Sequence, residues 1–169
     1  AGVEAHLVAV RAVSLMRPLD YLGAFEYSDP RLNEIWKTGA YTVQLCMQEY
    51  VWDGIKRDRL VWIGDLHPET MVVASVFGGH EIVPATLDYQ RDRPPLPAWM
   101  NGISSYSLWW VIIQRDWYRY TGDLNYLQQQ HSYLVGLLAL IESKLDTNGQ
   151  EHLDGMRFLE WPTSGDPTA

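Results

Sequence analysis

Four stretches of this chain repeat apolar residues at helical spacing, and capping or stopping residues bound each of them. Ser28-Asp29-Pro30 is a helix start, with Ser28 or Asp29 as cap and Pro30 in the first turn. Leu32, Ile35, Trp36, Tyr41, Val43 and Leu45 follow, and their spacing predicts a helix over about 30–49. Asp65 can cap a second helix, with Pro68 and Glu69 in its first turn, running through Met71, Val72 and Val76 to a stop at Gly78-Gly79. A third is expected over about 103–120, ending at Thr121-Gly122. Asp123 caps a fourth, over about 124–145, with Leu127, Leu134, Leu137, Leu138 and Ile141 on one stripe. Helix, loop and helix, twice over, predict a mainly α fold of helical hairpins set side by side.

The remaining segments read differently. Ala5-His-Leu-Val-Ala-Val-Arg-Ala-Val13 alternates in places, which predicts a short N-terminal β segment within 3–25. One or two strands alone are marginal, so residues 1–27 read as the tail of a preceding β-domain and 28–169 as the helical part. Residues 82–97 are rich in Pro, Asp and Arg and are expected to form a long loop. Asp146-Thr-Asn-Gly149 is a turn, and the tail to Ala169 is irregular. The chain ends without a closing element, which reads as a truncation.

Composition narrows the partners. A formal charge of −8 argues against a nucleic-acid backbone or an anionic membrane surface. No apolar run reaches the ~18 residues of a membrane span. Eight Trp and ten Tyr exceed what a core of this size needs, and spare aromatics line pockets or interfaces. Cys46 is the single cysteine, so no intrachain disulfide can form; its apolar neighbours suggest a small buried hydrophobe. No basic segment precedes an apolar one at the N-terminus, so no signal peptide is read there, and a chain beginning with Ala is expected to follow upstream sequence. No metal-ligand spacing and no phosphate-binding glycine loop occur, so neither a metal nor a cofactor is expected.

The chemistry concentrates between Trp52 and Glu69: Trp-Asp-Gly-Ile-Lys-Arg-Asp-Arg-Leu-Val-Trp-Ile-Gly-Asp-Leu-His-Pro-Glu. Asp53, Asp58 and Asp65 share thirteen residues with Lys56, Arg57, Arg59 and Trp62. Carboxylates over an aromatic floor can hold a sugar and break its glycosidic bond, one protonating the leaving oxygen while others bind hydroxyls or activate water. The plainer alternatives are a charged loop held by ion pairs, a Trp62 that packs in the core, and a Glu69 that offsets a helix dipole. His67 reads as a local hydrogen-bonding residue. In Trp109-Trp110 the two rings must point different ways, so at least one belongs to the core.

Asp53-Gly-Ile-Lys-Arg-Asp58-Arg-Leu-Val-Trp62-Ile-Gly-Asp65 resembles the signature loop of bacterial α-L-rhamnosidases, glycoside hydrolase family 78. Gly23-Ala-Phe-Glu-Tyr-Ser-Asp-Pro-Arg-Leu-Asn-Glu-Ile-Trp36 looks like that family's approach to its first barrel helix. Tyr118-Arg-Tyr-Thr-Gly-Asp123 looks like a helix–turn–helix corner, and Phe158-Leu-Glu160-Trp161 like a later loop. The resemblance implies part of an (α/α)6 toroid, with the predicted helices forming its first two hairpins. It implies an inverting glycosidase acting on terminal α-L-rhamnosides. Asp58 matches the general acid; Asp53, Arg57, Trp62 and Asp65 match substrate-binding positions, joined by Glu160 and Trp161. The general base is expected downstream of this chain. The family usually carries Glu where this chain has Asp58, and often Cys-Pro where it has Gly54-Ile55. The alternative is a non-catalytic carbohydrate-binding relative, or a fragment inactive without its base. The resemblance also implies a carbohydrate partner, a lean towards a periplasmic or secreted location, and self-association through faces that neighbouring hairpins would cover.

Overall fold

A computed structural model describes residues 5–156 and 158 of the chain. Five α-helices follow in order: α1 (Pro30–Cys46), α2 (Ile63–Val72), α3 (Ile82–Asp92), α4 (Ser104–Thr121) and α5 (Leu124–Glu142). The chain is mainly α, of the helical-hairpin type that the periodicity predicts. α2 packs most extensively on α4, α1 lies against α2, and α5 against α4. Between α2 and α4 the side chains of Ile63, Leu66, Trp110 and Ile113 are fully buried. Each contributes about 1.5–3 kcal/mol of apolar burial.

Local chemistry explains several boundaries. Asp29 takes the cap of α1: its Oδ1 accepts from Arg31 N at 2.9 Å, with Pro30 opening the helix. α1 stops at Cys46 rather than near residue 49, because Met47 and Val51 pair as an isolated bridge that turns the chain back. Gly122, at φ 69°, is the left-handed stop of α4, and Asp123 Oδ1 caps α5 by accepting from Tyr126 N at 2.9 Å. α2 continues into a wider, π-type turn over Val73–Phe77 before Gly78. On α5 the predicted stripe is only partly inward: Leu137 is buried, but Leu138 is exposed.

Three expectations are corrected. The segment over 82–97 is not a loop through most of its length, since α3 occupies Ile82–Asp92. Pro84 sits in its first turn, where no helical N–H bond is needed. Ile82, Val83, Thr86, Leu87 and Gln90 face inward. Its charged residues are paired through Arg91, which reaches Asp88 at 2.9 Å and Gln130 of α5 at 2.6 Å. Asp65 does not cap α2. That helix begins two residues earlier, and Ile63 N donates instead to Asn101 Oδ1 at 3.1 Å. Asp65 lies in the first turn, which puts Pro68 and Glu69 beyond it. Finally, residues 5–27 contain no strand; among the described residues only isolated bridges occur, at Met47–Val51, Ile103–Met156 and Leu145–Glu151. A strand needs a partner for its backbone groups. Here Leu22 N and Gly23 N both donate to Val76 O, at 2.8 and 3.0 Å, so this part of the chain docks on the turn after α2. Gly23 permits that approach, since a Cβ there would lie 1.9 Å from Ser75 O.

Candidate active site

The loop between α1 and α2 and the connection between α3 and α4 meet beside the start of α2. Asn101 joins them: its Oδ1 accepts from Ile63 N, and its Nδ2 donates to Val61 O at 3.0 Å. The motif loop is also closed upon itself. Asp53 Oδ1 accepts from Leu60 N and Asp53 N donates to Leu60 O, each at 3.0 Å. Inside that clasp the chain makes a tight turn, with Asp58 at φ 53° and Arg59 at φ 54°. Two successive non-glycine residues in the left-handed region store backbone strain of about 1–3 kcal/mol each. Such strain at a chemically rich loop is a mark of a positioned site.

An open cleft of about 620 Å³ lies here, lined by Asp53, Arg57, Asp58, Trp62, Gly64, Asp65, Ser105, Tyr106, Trp109 and Phe158. All five described residues singled out in the motif therefore converge on one cavity. Glu160 and Trp161 lie outside the described residues, though Phe158 of the same segment forms part of the wall. Arg57 Nε lies 3.6 Å from Asp58 Oδ1, and the arginine side chain is 81% exposed. At that separation and exposure the pair holds neither side chain firmly.

The glycine of Trp62-Ile-Gly64-Asp65 has a steric reason. A Cβ on Gly64 would lie 2.3 Å from Cε1 of Tyr106, so only glycine lets α2 rest against that ring. Tyr106 is buried and packs edge-on against both Trp62, at 6.1 Å between centroids, and Phe158, at 5.9 Å. The result is a connected aromatic wall. Trp62 is half-buried, and its indole Nε1 has no hydrogen-bond partner among the described residues. Trp110 is the core member of the tryptophan pair, and Trp109 turns outward to the cleft. His67 does form a hydrogen bond, but not a local one: its Nε2 lies 3.0 Å from Asp116 Oδ2 on α4, 49 residues away. That hydrogen bond, reinforced by Arg115, holds the Asp116 carboxyl below its usual range.

The carboxylates sense one another. Asp65 is raised above its ordinary value by burial, and then by Asp53 and Asp58. It stays open to solvent through the cleft mouth, which limits how far burial acts on it. Glu69 follows Asp65 by one helical turn on α2. Burial, then Asp65 and Asp53, push it up to about 8. Its carboxyl makes no hydrogen bond among the described residues. Glu69 thus departs from the dipole-compensating role a first-turn position suggested: it is a carboxyl kept neutral beneath the cluster. Burial, Glu69 and Asp53 also raise Cys46, to about 11, which leaves it an unreactive thiol. The residue pattern alone assigns no place in the site to Tyr106 or Trp109, and none to Glu69 beyond its helix position. The surplus of aromatics was the signal for the first two.

The described residues contain no group of His, Cys, Asp or Glu able to hold a metal ion, and no helix long and apolar enough to cross a membrane. Helical hairpins that carry a carboxylate-rich, aromatic-walled cleft where their loops meet fit a glycosidase of the six-hairpin type. The chain belongs to the bacterial α-L-rhamnosidase six-hairpin glycosidase domain family, whose model matches residues 20–169. No curated protein matches the chain significantly. Membership makes this a glycoside hydrolase domain at family level, with carbohydrate as the class of substrate.

Proposed function

We propose that the chain supplies the acid-bearing half of an inverting α-L-rhamnosidase active site, with residues 28–169 forming the first hairpins of the catalytic toroid. The observation that carries this reading is the convergence of Asp53, Asp58, Asp65, Arg57 and Trp62 on one cleft. Asp58, at the apex of the strained turn, is the proton donor to the leaving oxygen. Asp65 and the free oxygen of Asp53 bind sugar hydroxyls, Arg57 assists at the rim, and the Trp62 ring packs on the sugar. Protonating the leaving group is worth about 10²–10⁴ in rate. Inversion needs water activated on the opposite face by a second carboxylate, about 6.5–9.5 Å from the first. In this reading that base comes from sequence beyond the described residues, and Glu160 and Trp161 add further sugar contacts.

The test uses the full-length protein on p-nitrophenyl α-L-rhamnoside. Asp58→Asn should lower kcat/KM at least about a hundredfold, and proton NMR should show β-rhamnose as the first-formed anomer. Unchanged activity in the variant would remove Asp58 from the role of acid. Inactivity on rhamnosides beside activity on another glycoside would reassign the sugar.

A further inference from the structure

A second cavity, of about 340 Å³, opens on the other side of the motif loop. Trp62 lines both cavities, so its indole is a shared wall. The second pocket is bounded by Leu60 of the motif loop, by Tyr89, Gln90 and Arg93 from α3 and its end, and by Trp99 and Asn101. It has room for one sugar ring. Its electrostatics are the reverse of the main cleft. No carboxylate lines it, in a chain with 21 acidic and 13 basic residues.

Two polar groups here make no hydrogen bond among the described residues. Arg93 lies 4.5 Å over the Tyr89 ring, which is itself stacked on Tyr50 at 4.1 Å, and it has no ion pair among the described residues. Arg93 is exposed, and its guanidinium makes no hydrogen bond among the described residues. Gln90 is only 4% exposed, and its side-chain amide makes no hydrogen bond among the described residues. The amide lines the pocket, so a group that fills the pocket can bond it. Asn101 and Trp99, by contrast, are already engaged, the latter through Asp154 at 2.9 Å. They form wall rather than recognition.

We propose that this pocket receives the leaving-group side of the substrate, and that it selects a ring bearing a carboxylate, a uronic acid residue being the simplest case. The inference rests on the reading of the main cleft as a rhamnoside-hydrolysing site. A sugar in that cleft presents its glycosidic oxygen beside Trp62, and the next ring then falls across the indole. There Arg93 meets a planar carboxylate through a bidentate pair, Gln90 bonds a ring hydroxyl, and the aromatic faces cover the ring. An ammonium or neutral apolar leaving group would leave both polar groups unpaired.

The full-length protein would be assayed on p-nitrophenyl α-L-rhamnoside and on two α-L-rhamnosyl disaccharides that differ only at C6 of the second sugar: a glucuronate and its glucose counterpart. The wild-type kcat/KM should favour the glucuronate at least about tenfold, mainly through KM, with the preference shrinking as salt rises. Arg93→Gln should bring the ratio close to one, and Arg93→Lys should retain part of it. Equal kcat/KM for the two disaccharides in the wild type overturns the inference, as does a preference that survives Arg93→Gln. Hydrolysis of the aryl rhamnoside without any preference overturns the pocket assignment alone. Inactivity on all three compounds overturns the reading of the main cleft, and the pocket assignment with it.

Discussion

Glu69 links the candidate site to the stability of the fold. It is half-buried one turn below Asp65 on α2, with its pKa pushed from 4.5 up to about 8 by burial, then by Asp65 and Asp53. The unfolded chain releases this proton near its ordinary value, whereas the folded chain keeps it. Between those two values the folded state binds more protons, so stability falls as pH rises. The contribution is fully present below about pH 4.5 and is lost on passing through about pH 8. A carboxyl displaced that far has its charged form disfavoured by about 4–5 kcal/mol, of which roughly 4 appears between pH 5 and pH 9. Glu69→Gln keeps the shape and removes the charge. Urea unfolding at pH 5 should find the variant and the wild type within about 1 kcal/mol of each other. By pH 9 the variant should be the more stable by roughly 4 kcal/mol, a large share of the 5–15 kcal/mol typical of a domain. Taking the difference between the two proteins cancels the titrating groups that do not sense Glu69; Cys46, which does, sits at about 11, above this range. Stability curves that stay parallel from pH 5 to pH 9 would refute a proton-holding Glu69.

Three further substitutions or measurements probe the frame of the site. Gly64→Ala places a Cβ 2.3 Å from the buried Tyr106 ring and should destabilise by about 1–3 kcal/mol in urea unfolding; an unchanged midpoint would show that the ring can yield. Asn101→Ala removes the bonds to Ile63 N and Val61 O and puts alanine at φ 54°. About 2–3 kcal/mol should be lost, against a few tenths if the two loops are joined by other means. The chain alone exposes Leu32, Ile35, Val135 and Leu138 by 40–59% of their surface. Sedimentation should therefore show its mass rising with concentration, and a monomer at every concentration would contradict self-association.

The site was legible because its chemistry is local: Asp53, Asp58, Trp62 and Asp65 lie close in sequence, and the structure brings them to one cleft. The helices of strongest period and clearest caps, those that start at Pro30 and Leu124, were legible for the same reason. What escaped depends on distant partners. The polar residues of α3 look like loop until Gln130 of α5 meets Arg91 across 39 positions. The start of α2 is capped by Asn101 from 38 residues away, a bond that no reading of Asp65 could anticipate. Residues 5–27 alternate as a strand does, but Leu22 and Gly23 find their acceptor at Val76. Glu69 looks like a dipole partner until the packing around α2 sets it half-buried one turn from Asp65.

The central claim is that Asp58 gives its proton to the departing oxygen. A series of aryl α-L-rhamnosides with leaving groups from acidic to weakly acidic phenols tests it on the full-length protein and on Asp58→Asn. Protonation matters most where the leaving group is poor, so the loss in kcat/KM should grow steadily along the series and be smallest for the most acidic phenol. A loss of the same size for every leaving group would contradict the account, and would mark Asp58 as a residue that only binds the sugar.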